Sequence, residues 1–457
     1  MKVFTQNLNT IKSTYDCRLS PAYYAIFNAF NNIKRKGFNV YDINAICYEP
    51  DSGKYIDGYT NDGIKYIRVS NIKKYSIDNS EIKFVNKKSN IKILNENDIV
   101  FGRTQATISK LGTFAIISDA QSATSQHVAR ISSKDKTSNY YLVAYLNSKF
   151  GKAQMALASY GDTRVEFTHN QIKEMKVIVF DEIINKIEKN TKLIQEFAQK
   201  AQEYFKDAQD IIDLKIRDFN SKTSKTTQCF KSVLLENDIW NASCYRDEYL
   251  AIFNGIKNNY KYSYLSELIY PIKKGIEVGS INYRLEIEKE NSFLPFIRTS
   301  DIYNNEIDLY PDYYFDMQLQ GYIGYIPSLK INDIIFSKDG KINQVGIVDR
   351  ENEFIPCSGF SILRVKENIV SANYLFAILS HKKLMGYQAN MRTVIASTIP
   401  HLKPNRIEKF LIPIFEDDII KKIEEKIKLF RKCIIEKNKL MKDNEDTFNS
   451  YYKKLFA

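Results

Sequence analysis

An α+β protein is what this sequence of 457 residues predicts: two mixed α/β domains joined by two long antiparallel coiled-coil helices, with an internal pseudo-two-fold duplication. Three observations predict it. Short motifs recur in one order at an offset near 230 residues. Each copy runs from a strand-rich stretch to a helical run and a further strand. Each copy then closes on a long segment with heptad spacing.

The repeat is read first because it fixes the architecture. Ala25-Ile26-Phe27-Asn28 returns as Ala251-Ile252-Phe253-Asn254. Tyr66-Ile67-Arg68-Val69-Ser70-Asn71-Ile72 returns as Phe296-Ile297-Arg298-Thr299-Ser300-Asp301-Ile302. Asn97-Asp98-Ile99-Val100-Phe101 returns as Asn332-Asp333-Ile334-Ile335-Phe336, and Tyr141-Leu142 as Tyr374-Leu375. Each match is short, but their common order and nearly common offset are not a chance pattern.

Within each copy the elements follow one another in the same way. Residues 39–131 and 262–365 carry short β-rich runs bounded by Gly, Asn and Asp, as strands usually are. Helical runs follow at 139–158 and 373–388, then strands at 176–180 and 410–415. The closing segments keep a 3–4 apolar spacing. In the first, Ile187, Ile194, Phe197 and Tyr204 fall on one seam, and in the second Ile423, Ile427, Phe430 and Ile434 do. Sustained spacing of this kind predicts a coiled coil. Because the two helices close equivalent units, each is the expected partner of the other. The expected boundaries are a first domain at 1–180, its helix at 181–219, a polar linker at 220–240, a second domain at 241–415 and its helix at 416–457.

Composition narrows the function. The net charge is +12, from 66 basic and 54 acidic residues. The helical segments hold little of it: 8 acids and 7 bases at 181–217, 9 acids and 11 bases at 416–454. The excess therefore lies in the globular parts and points to a polyanionic partner. Six scattered cysteines and four histidines give no zinc spacing and fit a reducing, cytoplasmic setting. No apolar run reaches the ~18 residues of a membrane span. No Gly-x-x-x-x-Gly-Lys-Ser/Thr loop, no Gly-x-Ser-x-Gly elbow and no base-gripping Asp/Asn/Ser-Pro-Pro-Tyr/Phe tetrapeptide occurs, so no catalytic residue is assigned.

The candidate binding residues lie on a loop that occurs twice. After Phe101 comes a small-residue loop with Arg103, Thr104, Gln105 and Lys110; after Phe336 comes one with Lys338, Lys341, Asn343 and Gln344. Arg and Lys grip phosphates or guanine edges, and Asn and Gln pair with adenine edges. Arg164 and Arg392, ahead of His169 and His401, are further candidates for phosphate contact. The two histidines align at an offset of 232 and are expected in structural hydrogen bonds.

The ordered motifs Tyr/Phe-Ile-Arg-Val/Thr-Ser-Asn/Asp-Ile, Asn-Asp-Ile-Val/Ile-Phe and Tyr-Leu-x3-Leu-Asn-Ser, with a long helix after an Ile/Val-rich strand, resemble the specificity subunit of type I restriction–modification systems. The resemblance spans the chain and includes the duplication. It implies two target-recognition domains, each reading one half of a bipartite, asymmetric site in double-stranded DNA. It implies helical spacers that dock adenine-methyltransferase subunits, two in number, with a restriction/translocase subunit as a further partner. S-adenosylmethionine then belongs to the methyltransferase, and this chain needs no cofactor. The competing readings are a DNA-modification enzyme with unrecognised motifs and a coiled-coil scaffold that binds RNA.

Overall fold

The computed structural model describes residues 21–87, 91–105, 112–134, 138–159, 165–219, 247–285, 292–396 and 399–456. The expected linker at 220–240 and the candidates Lys110 and Arg164 lie outside them. The chain forms two compact units, one of Met1–Ala198 with Glu436–Ala457 and one of Gln199–Ile435. These cut across the boundaries expected from the sequence, since each long helix gives one half to each unit. No helix among the described residues is long and apolar enough to cross a membrane.

In the first unit the central sheet has four antiparallel strands in the order Asp51–Ser52, Val128–Ile131, Ile99–Gly102, Phe114–Ile116. In the second unit the order is Lys273–Lys274, Phe360–Leu363, Ile334–Ser337, Val345–Ile347. A second sheet repeats as well. Ile64–Ile67 pairs parallel with Ser122–Thr124 and antiparallel with Lys83–Val85; Phe293–Ile297 pairs parallel with Ile355–Pro356 and antiparallel with Tyr313–Asp316. The second unit adds Tyr283–Leu285 to the edge. The chain ends of each unit close through Asn39–Asp42 with Lys176–Val179, and Lys261–Tyr264 with Leu411–Ile414.

The repeated motifs have structural reasons. Asn71 accepts from the backbone N–H of Arg68 at 3.0 Å and donates to the carbonyl of Asp78 at 3.1 Å, capping a tight 3-10 turn. Asp301 accepts from Arg298 N at 2.8 Å in the same turn of the second unit. Asn97 and Asn332 stand at φ +68° and +72°, a conformation that Asn tolerates better than most residues. The following Asp98 and Asp333 are both 1% exposed. They accept from the backbone of Asn95 at 2.8 Å and Lys330 at 2.9 Å, and pair with Arg130 at 3.1 Å and Arg364 at 2.8 Å. Tyr141 donates to the carbonyl of Ile178, and Tyr374 to that of Pro413, each at 2.8 Å. Gln154 and Gln388 each bond both backbone groups of one residue in the closing strand, Lys176 and Leu411. Apolar clusters around Val100 and Ile335 fill the matching cores, each buried Ile or Val contributing about 1.5–3 kcal/mol.

The long helices run Ile184–Ile216 and Asp417–Phe456. In the first unit Lys186 bonds Asp443, and Asn190 bonds Asp443 and Asn444 at 2.8 and 3.0 Å. In the second, Lys426 bonds Asp207 at 2.7 Å and Lys215 bonds Glu416 at 2.8 Å. Within each unit the two helices therefore meet antiparallel. Ile423, Ile427, Phe430 and Ile434 are buried as expected, and so are Ile187 and Ile194. Phe197 and Tyr204 are only half-buried. Ala201 and Ala208 continue the Ile187–Ile194 row at heptad spacing and are buried, whereas the other row runs one position on, through Thr191, Phe205 and Ile212. Phe205 fills the core, its ring 5.4 Å from Phe430 and 6.1 Å from Phe376. Tyr204 stays at the margin, its ring beneath the Lys426 ammonium.

Asp301 is the strained member of this frame. Burial lifts its carboxyl from the ordinary 3.8 to about 6, against the Arg298 N–H that lowers it. Between those values the unfolded chain is ionised there while the folded unit holds the proton. The stability present below pH 3.8 is thus lost as pH rises through about 6. Asp301→Asn copies Asn71, keeps the acceptor and removes the buried charge. It is expected to stabilise the second unit at pH 7 by roughly 1–3 kcal/mol and to flatten its pH dependence in thermal unfolding. A variant less stable than the parent at pH 7 would contradict this account.

Candidate nucleic-acid interface

The loops singled out in the sequence leave the same end of the same strand in both units. Ile99–Gly102 and Ile334–Ser337 are central strands, and the next residues are Arg103 and Lys338. The backbone around them is equivalent. Arg103 N donates to the carbonyl of His127 and Lys338 N to that of Gly359, each at 2.8 Å. The carbonyl of Arg103 accepts from Phe167 N and that of Lys338 from Leu402 N, again at 2.8 Å.

This frame corrects the alignment of the histidines. Phe167 stands opposite Leu402, so His401 corresponds to Glu166, while His169 opens the short helix His169–Lys173 where Pro404 opens Pro404–Ile407. Similar spacing to different neighbours misled the sequence reading. Both histidines nevertheless reach the loop. His169 Nε2 lies 2.8 Å from Ser52 Oγ, to which Arg103 Nη1 also donates at 3.2 Å. Burial, with Arg103 next, lowers the His169 pKa and favours the neutral ring at pH 7. In the second unit His401 Nδ1 lies 2.8 Å from Asp339 Oδ1, and Asp339 Oδ2 pairs with Lys338.

The predicted residues divide accordingly. Arg103 and Thr104 are half-buried at the mouth of the first loop, and Gln105 follows in the strand Thr104–Gln105, which pairs with Val165–Glu166. Lys341, Asn343 and Gln344 are half-buried in a loop tied by Ser337, whose hydroxyl donates to the carbonyl of Lys341 and accepts from Gln344 N at 2.7 Å. Asn343 stands at φ +63°. Lys338 is in the loop but 9% exposed, drawn in by Asp339. Arg392 is corrected outright. It is 1% exposed, donates to the carbonyl of Gln388 and lies 5.8 and 6.0 Å from the ring centres of Phe253 and Phe410. A guanidinium packed between rings cannot reach a phosphate. Nothing in its sequence neighbourhood separated it from a surface arginine.

Sequence reasoning missed three features at these loops. Gln126 and His127 are exposed beside Arg103, with Gln126 Nε2 3.2 Å from His127 Nε2. Asp339 and His401 form the pair just described. At the far end of each central sheet, Tyr48 and Tyr270 are 60% and 51% exposed, with Lys134 and Lys366 over their rings at 6.0 and 5.9 Å. Their backbones match too, since Tyr48 N donates to Ser132 and Tyr270 N to Arg364, each at 2.9 Å. Among the described residues no group of His, Cys, Asp and Glu could hold a metal ion.

The family model described as "Type I restriction modification DNA specificity domain" matches residues 272–444. No curated protein matches the sequence. Three solved structures are similar at low identity. One is the S subunit of a type I restriction-modification system from M. genitalium, 12% identical over 92% of this chain and 96% of that one, with a TM-score of 0.37. Another comes from work on "complex assembly" and "conformational transition of the type I R-M system", 12% identical over 90% and 96%, TM-score 0.29. The third is the HsdS subunit from Thermoanaerobacter tengcongensis, 12% identical over 90% and 95%, TM-score 0.28. Superposition that loose carries no argument about this chain, and the assignment rests on the family model and the ordered motifs. Over residues 272–444, which hold most of the second unit's sheets and part of the last helix, the chain is similar to the type I restriction modification DNA specificity domain.

Proposed function

We propose that the whole chain is a sequence-specificity subunit that reads a bipartite, asymmetric site in duplex DNA. On this reading each unit recognises one half-site. Two adenine-methyltransferase subunits are brought to the site, carrying the S-adenosylmethionine, and a restriction subunit can join them in the cytoplasm. The observation that carries the reading is the shared backbone frame at the two strand-end loops with different side chains on it. Equal frames present residues in the same way, and unequal residues read different bases. Phosphate contacts from the basic excess supply affinity without selectivity.

The repeated Tyr48–Lys134 and Tyr270–Lys366 surfaces support the partner count. They are alike in both units and stand at the sheet end away from the loops, which suits two copies of one partner protein.

Substitution tests the reading directly. Arg103→Ala is expected to relax base preference in one half-site, and Lys341→Ala in the other alone, each by about 1–3 kcal/mol. Binding of the full chain to randomised duplexes measures both. One substitution that altered both half-sites would contradict independent readers, and a uniform loss with a smaller salt slope would mean phosphate contact.

The antiparallel contacts support a coiled-coil pair with pseudo-two-fold symmetry. Asn190 meets Asp443 as Lys426 meets Asp207, a swap at one common offset. In this pair the helix length sets the unread gap. One heptad added to both helices, after Ala198 and after Ile435, should lengthen the site by ~10 Å, or about 3 base pairs. An unchanged gap in the selected sites would remove the helices as the ruler.

The symmetry is unequal in polarity. Asn444, 0% exposed, donates to Thr191 Oγ1 at 3.2 Å, while the corresponding Ala208 and Ile427 are both 0% exposed and apolar. Asn444→Ala should cost about 1–3 kcal/mol by leaving buried partners unbonded. Adding Thr191→Ile, which copies the apolar pair, should recover the part that comes from Thr191, because Asn190 also loses its bond to Asn444. Chemical denaturation of the single and double variants decides; additive losses would mean that the two positions are not equivalent.

A further inference from the structure

The two units differ most sharply one residue into the loop. Thr104 follows Arg103 in the first unit, and Asp339 follows Lys338 in the second. A carboxylate is the wrong charge for a surface that meets one phosphate charge per ~1.7 Å of duplex. Yet the Asp339 side chain is 28% exposed and is held from both sides. Lys338 pairs with Oδ2, and His401 Nδ1 lies 2.8 Å from Oδ1.

This cluster is not required to fasten the loop. Leu402 N to the Lys338 carbonyl at 2.8 Å and Gly340 N to the Pro400 carbonyl at 3.1 Å already join the two segments. The first unit makes the same main-chain join, from Phe167 N to the Arg103 carbonyl, with Thr104 in the place of Asp339 and Glu166 in the place of His401. What the cluster does is neutralise and orient Asp339. A carboxylate has roughly four acceptor positions, and the Lys338 and His401 bonds use one on each oxygen. Both backbone segments beside it are bare. Gly340 stands at φ +69°, with nothing nearer to an added Cβ than Thr299 Oγ1 at 3.9 Å. At Gly359 a Cβ would lie 3.0 Å from Thr299 Cγ2 and would crowd it. Glycine backbone lets a ligand approach closely.

We propose that Asp339, fixed by Lys338 and His401, is a base-reading residue of the second unit that accepts a hydrogen bond from an exocyclic amino group, cytosine N4 or adenine N6, in the major groove. This rests on the reading of the strand-end loops as DNA readers. An oriented, charge-compensated acceptor suits those amino groups and repels the keto oxygens of guanine and thymine. Thr104 at the equivalent place cannot make that distinction, because a hydroxyl both donates and accepts.

Selection of duplexes by the full chain, for the parent and for Asp339→Asn and Asp339→Glu, tests the proposal. The parent should require an amino-bearing base at one position of one half-site, and the selected base shows whether cytosine or adenine is read. Asp339→Asn removes the charge at equal size and adds a donor beside the remaining acceptor. It should relax the discrimination against guanine and thymine at that position by ~10-fold, with the other half-site unchanged as an internal control of folding. Asp339→Glu should keep the amino preference while weakening it. An unchanged preference in Asp339→Asn, with affinity kept or uniformly lowered, would make Asp339 a structural staple and overturn the proposal. A parent that selects no second half-site would overturn the function itself, an outcome visible before any variant is measured.

Discussion

The frame depends on a carboxylate buried just before each central strand. Asp98 and Asp333 are 1% exposed, where an unpaired charge would be untenable. Each is held by a backbone N–H three residues earlier and by an arginine in or just after the neighbouring strand. The first contact bends the chain through the left-handed Asn97 or Asn332; the second fixes that strand against Val128–Ile131 or Phe360–Leu363. Removing one partner would strand the other in a dry site, a loss of about 3–5 kcal/mol. The register so fixed decides what emerges at the other end of the strand, where Arg103 and Lys338 begin the loops.

Scaffold and reader are therefore separate along a single strand. The residues that make the motifs recognisable, Asn97-Asp98, Asn332-Asp333, Asn71 and Asp301, bond within the scaffold, to backbone or to half-buried arginines. The residues positioned to reach a ligand, Arg103, His127, Asp339 and His401, belong to no shared motif. A position that holds a buried bond cannot change without a cost of about 1–3 kcal/mol. A half-exposed loop side chain can change with little cost to the fold. That difference is why two units with one strand order carry different loops.

The same difference explains what the sequence disclosed. The duplication, the strand and helix order and the loop positions were legible, because Asn-Asp turns, apolar strands and heptads leave local patterns. The helix seam was legible on the second helix, and on the first one of its two rows was displaced by one position. There Tyr204 and Phe205 are adjacent and equally apolar by pattern, and only the rings of Phe376 and Phe430 decide between them. Thr191 and Asn444 were invisible as seam residues, since a polar side chain is read as solvent-facing until its buried partner is known. Arg392 failed for the converse reason: a cation is read as exposed, and Phe253, whose ring it faces, lies 139 residues away in the chain. The Asp339–His401 pair joins a loop to a segment 62 residues on, and no local spacing announces such a contact.

The polar seam of the first unit adds a constraint that an apolar seam lacks. Asn444 and Thr191 are both 0% exposed, and Asn444 also hydrogen-bonds the buried Tyr75. Buried polar groups are tolerable when every member finds a partner. Sliding one helix by a turn would bring Asn444 toward Ile187 or Ile194 and break those bonds, at about 1–3 kcal/mol for each group left unpaired. A slide that exchanged Ile427 or Ala208 for another apolar neighbour would cost only packing. Asn190, joined to both Asp443 and Asn444, tightens the same register from the rim. Apolar burial thus drives the two helices together, and a few satisfied amides in one unit determine how they align.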